Sequence, residues 1–469
     1  MRTLALIWLT AALHAAAQVP VALSREAFVR LVIEGHPVAR QAALRTGIGE
    51  ATVRSARGGF DPVATAAYDE KRFDAKSYYT LLDAGLKVPT WFGMDLLAGY
   101  EDNSGPYIDP QATTPGDGLV KAGVQVPVGQ GLFIDQRRAT LRKAQAMQRA
   151  TEAERQQLLN ELLLAALNDH ADWAAAHRAL EVTDAAVLLA RQRFDAVHGS
   201  WRGGDRPAID TLEAWLQVQD RLMRQQQAAL ALRNARLRLS NHLWDSYQRP
   251  LELQENVRPG EADLVSPLAP RMGESALDTL IAKHPLLLQA MARVDQLEVD
   301  RRLRAELMKP RLDLKYQWLG DAGGTRNEAG ASLLNDGHRF GIGFQMPLLL
   351  RRERGELALA ELRRTEAELG LERERLRIRN RVRERLNEIA TYRAQANLGA
   401  TMVENYQRLL SGENSRFAAG ESALFLVNTR EVPLIESRLR QVELEARLRK
   451  AFFALDHDAG MLWSTWTGR

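Results

Sequence analysis

Residues 351–410 contain no proline and only three glycines, Gly355, Gly370 and Gly399. Leu362, Leu369 and Leu376 recur every seven residues, as do Leu371 with Ile378 and Val382 with Ile389. A sustained seven-residue apolar repeat specifies a left-handed coiled coil. About 60 residues at 1.5 Å each predict a rod of roughly 90 Å. Residues 132–197 repeat the plan with more alanine. Rods of that length do not fit a globular domain, so they must pack against each other or against other copies of the chain.

The chain reads as an internal duplication. His36-Pro37 recurs at His284-Pro285, and Pro62 at Pro310. Gly123-Val124-Gln125-Val126-Pro127 recurs as Gly343-Phe344-Gln345-Met346-Pro347, Arg193-Phe194 as Arg416-Phe417, and Asn241-His242 as Asp456-His457. These anchors, all in one order, predict two repeats, residues 18–245 and 274–469. A proline-rich linker, 246–273, lies between them. Each repeat reads as an opening helix (24–58 and 274–308), then strands, a very long helix and a returning helix. Aligning Arg193-Phe194 on Arg416-Phe417 makes the first helix–helix turn eight residues longer, at 198–205.

The strands are clearest in the second repeat. Leu312, Leu314, Tyr316 and Trp318 alternate with polar residues, and Phe340, Ile342, Phe344 and Met346 alternate with Arg339, Gly341, Gly343 and Gln345. Val120, Ala122, Val124 and Val126 do the same in the first repeat. Period two gives one apolar and one polar face. Such segments suit a half-buried hairpin or a membrane barrel whose apolar side meets lipid. On the second reading Leu314, Tyr316, Trp318, Phe340, Ile342 and Phe344 face lipid. Two clear strands per repeat give four per chain, fewer than the roughly eight that close a membrane barrel. An open sheet edge is not tolerated in lipid, so these strands would have to close with other copies. The first-repeat strand region, 62–127, is longer than its counterpart, and its extra residues form either a long loop or another hairpin.

Residues 4–9 and 11–13 are apolar after Met1 and Arg2, and Ala15-Ala16-Ala17 precedes Gln18. This predicts a secretory signal peptide over residues 1–17. The chain has no cysteine, which excludes disulfides, thiolate metal sites and a cysteine nucleophile. Its 63 basic residues are interleaved with 59 acidic ones, so no nucleic-acid surface is expected. His170 and His177 could share a helix face near Asp169 and Asp172, but such residues more commonly belong to a packed or solvated face. No catalytic, cofactor or metal site is assigned, and no enzyme is expected.

Leader, duplication, strand pairs, Pro-marked strand-to-helix junctions and paired long helices together make the chain resemble the TolC-like outer-membrane efflux protein family. The turns from Arg193-Phe194 to Asp210 and from Arg416-Phe417-Ala418-Ala419-Gly420 to Leu424 add to the resemblance. It implies a mainly α fold with a β-barrel part: duplicated long antiparallel coiled-coil helices plus transmembrane strands in a trimeric α/β barrel. The family forms a homotrimer with a shared 12-stranded barrel in the outer membrane of a Gram-negative bacterium. A helical tunnel extends into the periplasm to meet an adaptor protein and an inner-membrane pump. It implies a passive exit duct for tripartite efflux or type I secretion, without a cofactor. Its helix turns would face the adaptor, which singles out Trp201, Arg202, Arg206, Asp210, Gly420, Phe425 and Asn428 as tip or entrance residues. An acidic ring at the entrance is not expected. From another class, a secreted periplasmic coiled-coil scaffold without a pore would share the leader and the rods.

Overall fold

The computed structural model describes residues 22–245, 247–260, 281–323 and 337–467. The expected leader with its Ala17–Gln18 junction, Ser246 and 261–273 of the expected linker, and residues 274–280 of the second opening helix lie outside these. The chain divides into two compact units. One comprises Leu44–Arg155 and Pro285–Leu376; the other comprises the chain up to Ala43, Gln156–His284 and the chain from Arg377.

The first of these units holds an antiparallel sheet of six strands: β2 (Val63–Phe73), β3 (Lys76–Pro89), β4 (Asp95–Ser104), β5 (Leu119–Pro127), β7 (Arg311–Asp321) and β8 (His338–Gln345). The spatial order is β2-β3-β4-β5-β7-β8, so each strand pairs with its predecessor in the sheet. This corrects the expectation of four strands per chain. The extra first-repeat residues fold into the β2–β3 hairpin, closed by Asp74 and Ala75 with φ of 51° and 55°. Two left-handed residues match the right-handed twist of the paired strands. The helix segments of this unit pack through small residues. Val53, Ala56, Leu141 and Ala144 form one cluster, and Ile134, Ala139 and Leu303 another. Arg149 pairs with Asp295 at 2.7 Å, and Lys143 pairs with Asp300.

The other unit is helical around a core that includes Phe28, Val32, Leu163, Leu167, Trp173, Leu239 and Leu243. Each such side chain contributes roughly 1.5–3 kcal/mol by leaving water. A short parallel pair, β1 (Ala22–Leu23) with β6 (Arg258–Pro259), borders it. The opening helix is two helices, α1 (Arg25–Gly35) and α2 (Pro37–Arg57). The expected single helix breaks at His36, which is extended at φ −66°, ψ 133°. Pro37 disfavours helical backbone at the residue before it. Ser24 caps α1 by accepting a hydrogen bond from the Ala27 N–H, which contributes about 1 kcal/mol.

The long helices are α3 (Gln136–Arg202), α4 (Ala208–Ser240), α6 (Arg351–Ala418) and α7 (Leu424–Asp458), with α5 (Pro285–Leu307) before β7 and α8 (Leu462–Thr467) after α7. α3 and α6 have nearly equal lengths, 67 and 68 residues. No helix of the described residues is long and apolar enough to cross a membrane.

His170 and His177 do not form a ligand set; no group of potential metal ligands occurs among the described residues. The His170 ring is buried against Phe28 and Trp173, with ring centres at 5.3 and 5.5 Å. Burial pushes its pKa down to about 4. His242 Nε2 lies 2.7 Å from Asp169 Oδ2.

Candidate membrane sheet and helix-turn ends

Cross-strand register sorts the sheet into two chemically distinct faces. On one face Ala84, Leu86 and Val88 of β3 stand beside Tyr100, Ala98 and Leu96 of β4, with Leu82 beside Asp102 at the far end. These continue into Val120, Ala122 and Val124 of β5, then Trp318 and Tyr316 of β7, with Val126 beside Leu314. Leu312, Leu314 and Tyr316 in turn face Phe344, Ile342 and Phe340 of β8. All six residues singled out as lipid-facing therefore share one apolar face. In the isolated chain Phe340, Ile342 and Phe344 are 56%, 60% and 69% exposed.

The opposite face carries Asp83, Lys87, Asp95, Glu101, Lys121, Gln125, Lys315, Gln317 and Arg339, as the same registers require. Its centre is Lys121, whose Nζ lies 3.4 Å from Asp83 Oδ2 and also pairs with Glu101. Asp83 and Glu101 are direct cross-strand neighbours. Their like charges would repel without the ammonium between them. Gly99 stands opposite Lys121, and a Cβ there would lie 3.1 Å from the lysine Cε. At one end of this face Asp95 pairs with Lys87 at 2.7 Å and with Arg137 at 2.9 Å.

The helix turns belong to the other unit. Both use one motif. Gly204 N–H donates to Trp201 C=O and Asp205 N–H to Ser200 C=O; Gly420 N–H donates to Phe417 C=O and Glu421 N–H to Arg416 C=O. Gly204 and Gly420 have φ of 82° and 77°. This is a Schellman cap, in which glycine takes the left-handed position. α4 then starts at Ala208 and α7 at Leu424, so the two turns have equal length. The expected eight-residue extension of the first turn is therefore corrected. Residues 198–202 are helical, and Trp201 and Arg202 occupy the last turn of α3. The Arg-Phe pairs are not equivalent positions: Trp201, not Phe194, corresponds to Phe417.

Arg206 lies within the turn, its guanidinium 4.7 Å from the Phe417 ring centre and 3.5 Å from Asp210. Trp201 is 41% exposed and contacts His198, and Phe425 is 64% exposed. Asn428 departs from the expected entrance group, because it is buried. Its Oδ1 accepts from Arg193 at 3.0 Å, and its Nδ2 donates to Glu213 at 3.2 Å. Arg193 also pairs with buried Glu431. From sequence Arg193 was read only as a repeat anchor and Glu431 was not singled out; an arginine and a glutamate inside a charge-rich coiled coil carry no local sign of burial.

α4 carries a further feature. Ile209, Leu216, Met223, Leu230 and Leu237 recur every seven residues and are 71%, 55%, 59%, 52% and 60% exposed. Leu362, Leu369 and Leu376 of α6 are likewise exposed. Apolar heptad stripes left in water call for a partner helix.

Residues 276–460 match the family described as outer membrane efflux protein. No curated protein matches the sequence. The fold is similar to the Campylobacter jejuni CmeC outer membrane channel, at 12% identity and TM-score 0.62 over 93% of this chain and 85% of that one. It is also similar to the Vibrio cholerae outer membrane protein VceC, at 15% identity and TM-score 0.63 over 92% and 95%. The open-state Neisseria gonorrhoeae MtrE channel gives 13% identity and TM-score 0.65 over 93% and 89%.

Proposed function

We propose that the chain is a member of the outer membrane efflux protein family, whose model matches residues 276–460, and that it is the passive exit duct of a tripartite efflux or type I secretion system. The family consists of pore proteins, not enzymes. The observation that carries the reading is the two-faced sheet: a membrane barrel needs an apolar outer band and a polar lumen on alternating residues, and the β2–β8 register supplies both. The apolar face, with Leu314, Tyr316, Trp318, Phe340, Ile342 and Phe344, meets outer-membrane lipid. The Lys121–Asp83–Glu101 face lines the lumen.

The duct is a homotrimer. Its open sheet edges and its exposed α4 stripe both support closure by further copies. The chain is read as two repeats, residues 18–245 and 274–469, a division that the matched helix lengths and matched Schellman turns support. The turns point into the periplasm of a Gram-negative cell. There Trp201, Arg202, Arg206 and Phe425 contact an adaptor, which joins the duct to an inner-membrane pump that supplies the energy. Exposed Trp and Arg are the side chains most enriched at binding hot spots.

A complementation experiment tests this. In a strain that keeps adaptor and pump but lacks its duct, expression of this chain lowers accumulation of a fluorescent pump substrate. Unchanged accumulation, with the protein present in the outer membrane, contradicts the tripartite reading. Recovery only in the soluble periplasmic fraction favours the scaffold instead.

A further inference from the structure

We infer that the β2–β3 hairpin widens the shared barrel to eighteen strands, with β2 as the edge that receives β8 of the next copy in one defined register. The inference rests on the trimeric reading above. Three copies of a six-stranded sheet supply eighteen strands, where four strands per chain would supply the family's twelve. Barrel diameter grows roughly linearly with strand number, so the exit is about half as wide again.

β2 and β8 are the outer strands, each with one neighbour among the described residues. Six is an even number, so β2 and β8 run in opposite directions, and joining copies edge to edge keeps every pair antiparallel. Backbone groups on an open edge find no partner in lipid.

Charge and geometry select the register independently. Asp69 on β2 and Arg339 on β8 lie on the polar face. Neither has a side-chain partner among the described residues. Placing Asp69 opposite Arg339 also sets Tyr68 beside Phe340, Ala66 beside Ile342 and Ala64 beside Phe344, which continues the apolar face across the junction. A shift of two residues instead sets Lys71 against Arg339, and like charges directly opposed destabilise a sheet.

The geometric argument follows the hydrogen-bonded rows. From Arg339 they run through Gln317, Gly123, Leu97 and Lys87 to Val63. Pairing Arg339 with Asp69 of the next copy, rather than with the level of Val63, climbs six residues per copy and eighteen around three copies. Shear then equals strand number, the ratio that gives the eight-stranded, shear-eight barrel its tilt of about 36°. That value lies within the 35–45° usual for barrels.

The hairpin is also a separable insert. Phe60 before β2 stacks on Trp91 after β3, with ring centres 4.8 Å apart. The chain thus leaves and returns at one place, and removal of residues 63–94 joins Pro62 to Asp95 with β4 as the new edge.

Cysteine cross-linking tests this in a chain that has no cysteine of its own. Within one chain β2 and β8 are five strand spacings apart, about 24 Å, so any disulfide between them joins two copies. Oxidation of the full-length Asp69→Cys/Arg339→Cys protein in outer membranes should give covalent trimers in most of the material. Ala67→Cys or Lys71→Cys with Arg339→Cys should cross-link at least fivefold less. In the variant lacking 63–94 the β4 edge should receive Arg339 four residues above the level of Leu97, which keeps shear equal to strand number at twelve strands, so Glu101→Cys/Arg339→Cys should cross-link only in that variant. If Glu101→Cys/Arg339→Cys links in the full chain while Asp69→Cys/Arg339→Cys does not, the hairpin lies outside the barrel and the inference falls. A maximum at Ala67 or Lys71 overturns the register. Native mass measurement of the unoxidised protein separates these results from failure of the trimeric reading itself, which would show as monomer.

Discussion

Lys121 on β5 reaches over β4 to Asp83 on β3, with Nζ and Oδ2 3.4 Å apart. The link spans three strands because Gly99 on the middle strand leaves room for the lysine stem. Glu101 sits on the same ammonium, so one cation holds two carboxylates that neighbour each other across the sheet. This fixes the polar face of the first-repeat strands as a connected charge network.

Lys121→Met should lower sheet stability by about 1–3 kcal/mol, the cost of leaving polar groups without their partner. Adding Asp83→Asn should recover part of the loss by removing one of the opposed charges. Thermal denaturation of the detergent-solubilised protein, read by heat-modified electrophoretic mobility, checks both.

Ile342→Arg and Phe344→Arg should each impair membrane insertion, because a lipid-facing cation costs about 2–4 kcal/mol near mid-bilayer. Gln345→Arg, on the polar face, should insert as the parent does. The yield of each variant in the outer-membrane fraction measures this, and equal behaviour of all three would refute the face assignment.

Much of this sheet was legible in the sequence. The alternation in 312–318 and 339–346 gives the strands and their apolar face because each residue there follows period two. β2 was not legible. Asp69, Glu70, Lys71 and Arg72 put charge on both faces at its far end, and the register shifts between Lys71 and Arg72. The error at the first helix turn has a different cause. A heptad helix resembles itself when slid by seven residues, so the Arg-Phe pairs aligned one heptad out of step. The Schellman glycines, Gly204 and Gly420, were the better anchors, since their left-handed backbone ties them to the turn itself.

Met223→Glu with Leu230→Glu should abolish assembly and leave the folded chain helical. Both residues lie on the exposed α4 stripe, where a charge is harmless in water and unfavourable in a helix–helix seam. Analytical ultracentrifugation should show monomer, with circular dichroism unchanged. A trimer of normal stability would mean that this stripe faces solvent in the assembly.

Glu431→Gln should destabilise the helical turn region by roughly 3–5 kcal/mol, because it leaves Arg193 without its buried anion. The double variant Arg193→Met/Glu431→Met should recover most of that loss. Amide hydrogen exchange across 193–210 and 424–431 in increasing urea reports on this end of the helices.

His170 and His284 both have pKa values pushed down to about 4, chiefly by burial. The unfolded chain binds the proton near 6.5, so stability is complete above that pH and is lost as pH falls toward 4. For His170 the loss between pH 7 and pH 5 should be roughly 2 kcal/mol. His170→Gln should flatten that part of the pH dependence, as measured by melting temperature across the same range.

Planar-bilayer recording of the purified, assembled protein tests the duct most directly. The account predicts long-lived conductance steps of uniform size, each from one inserted trimer, that vanish in the Met223→Glu/Leu230→Glu variant. Trimers that insert into the bilayer and carry no current would contradict it.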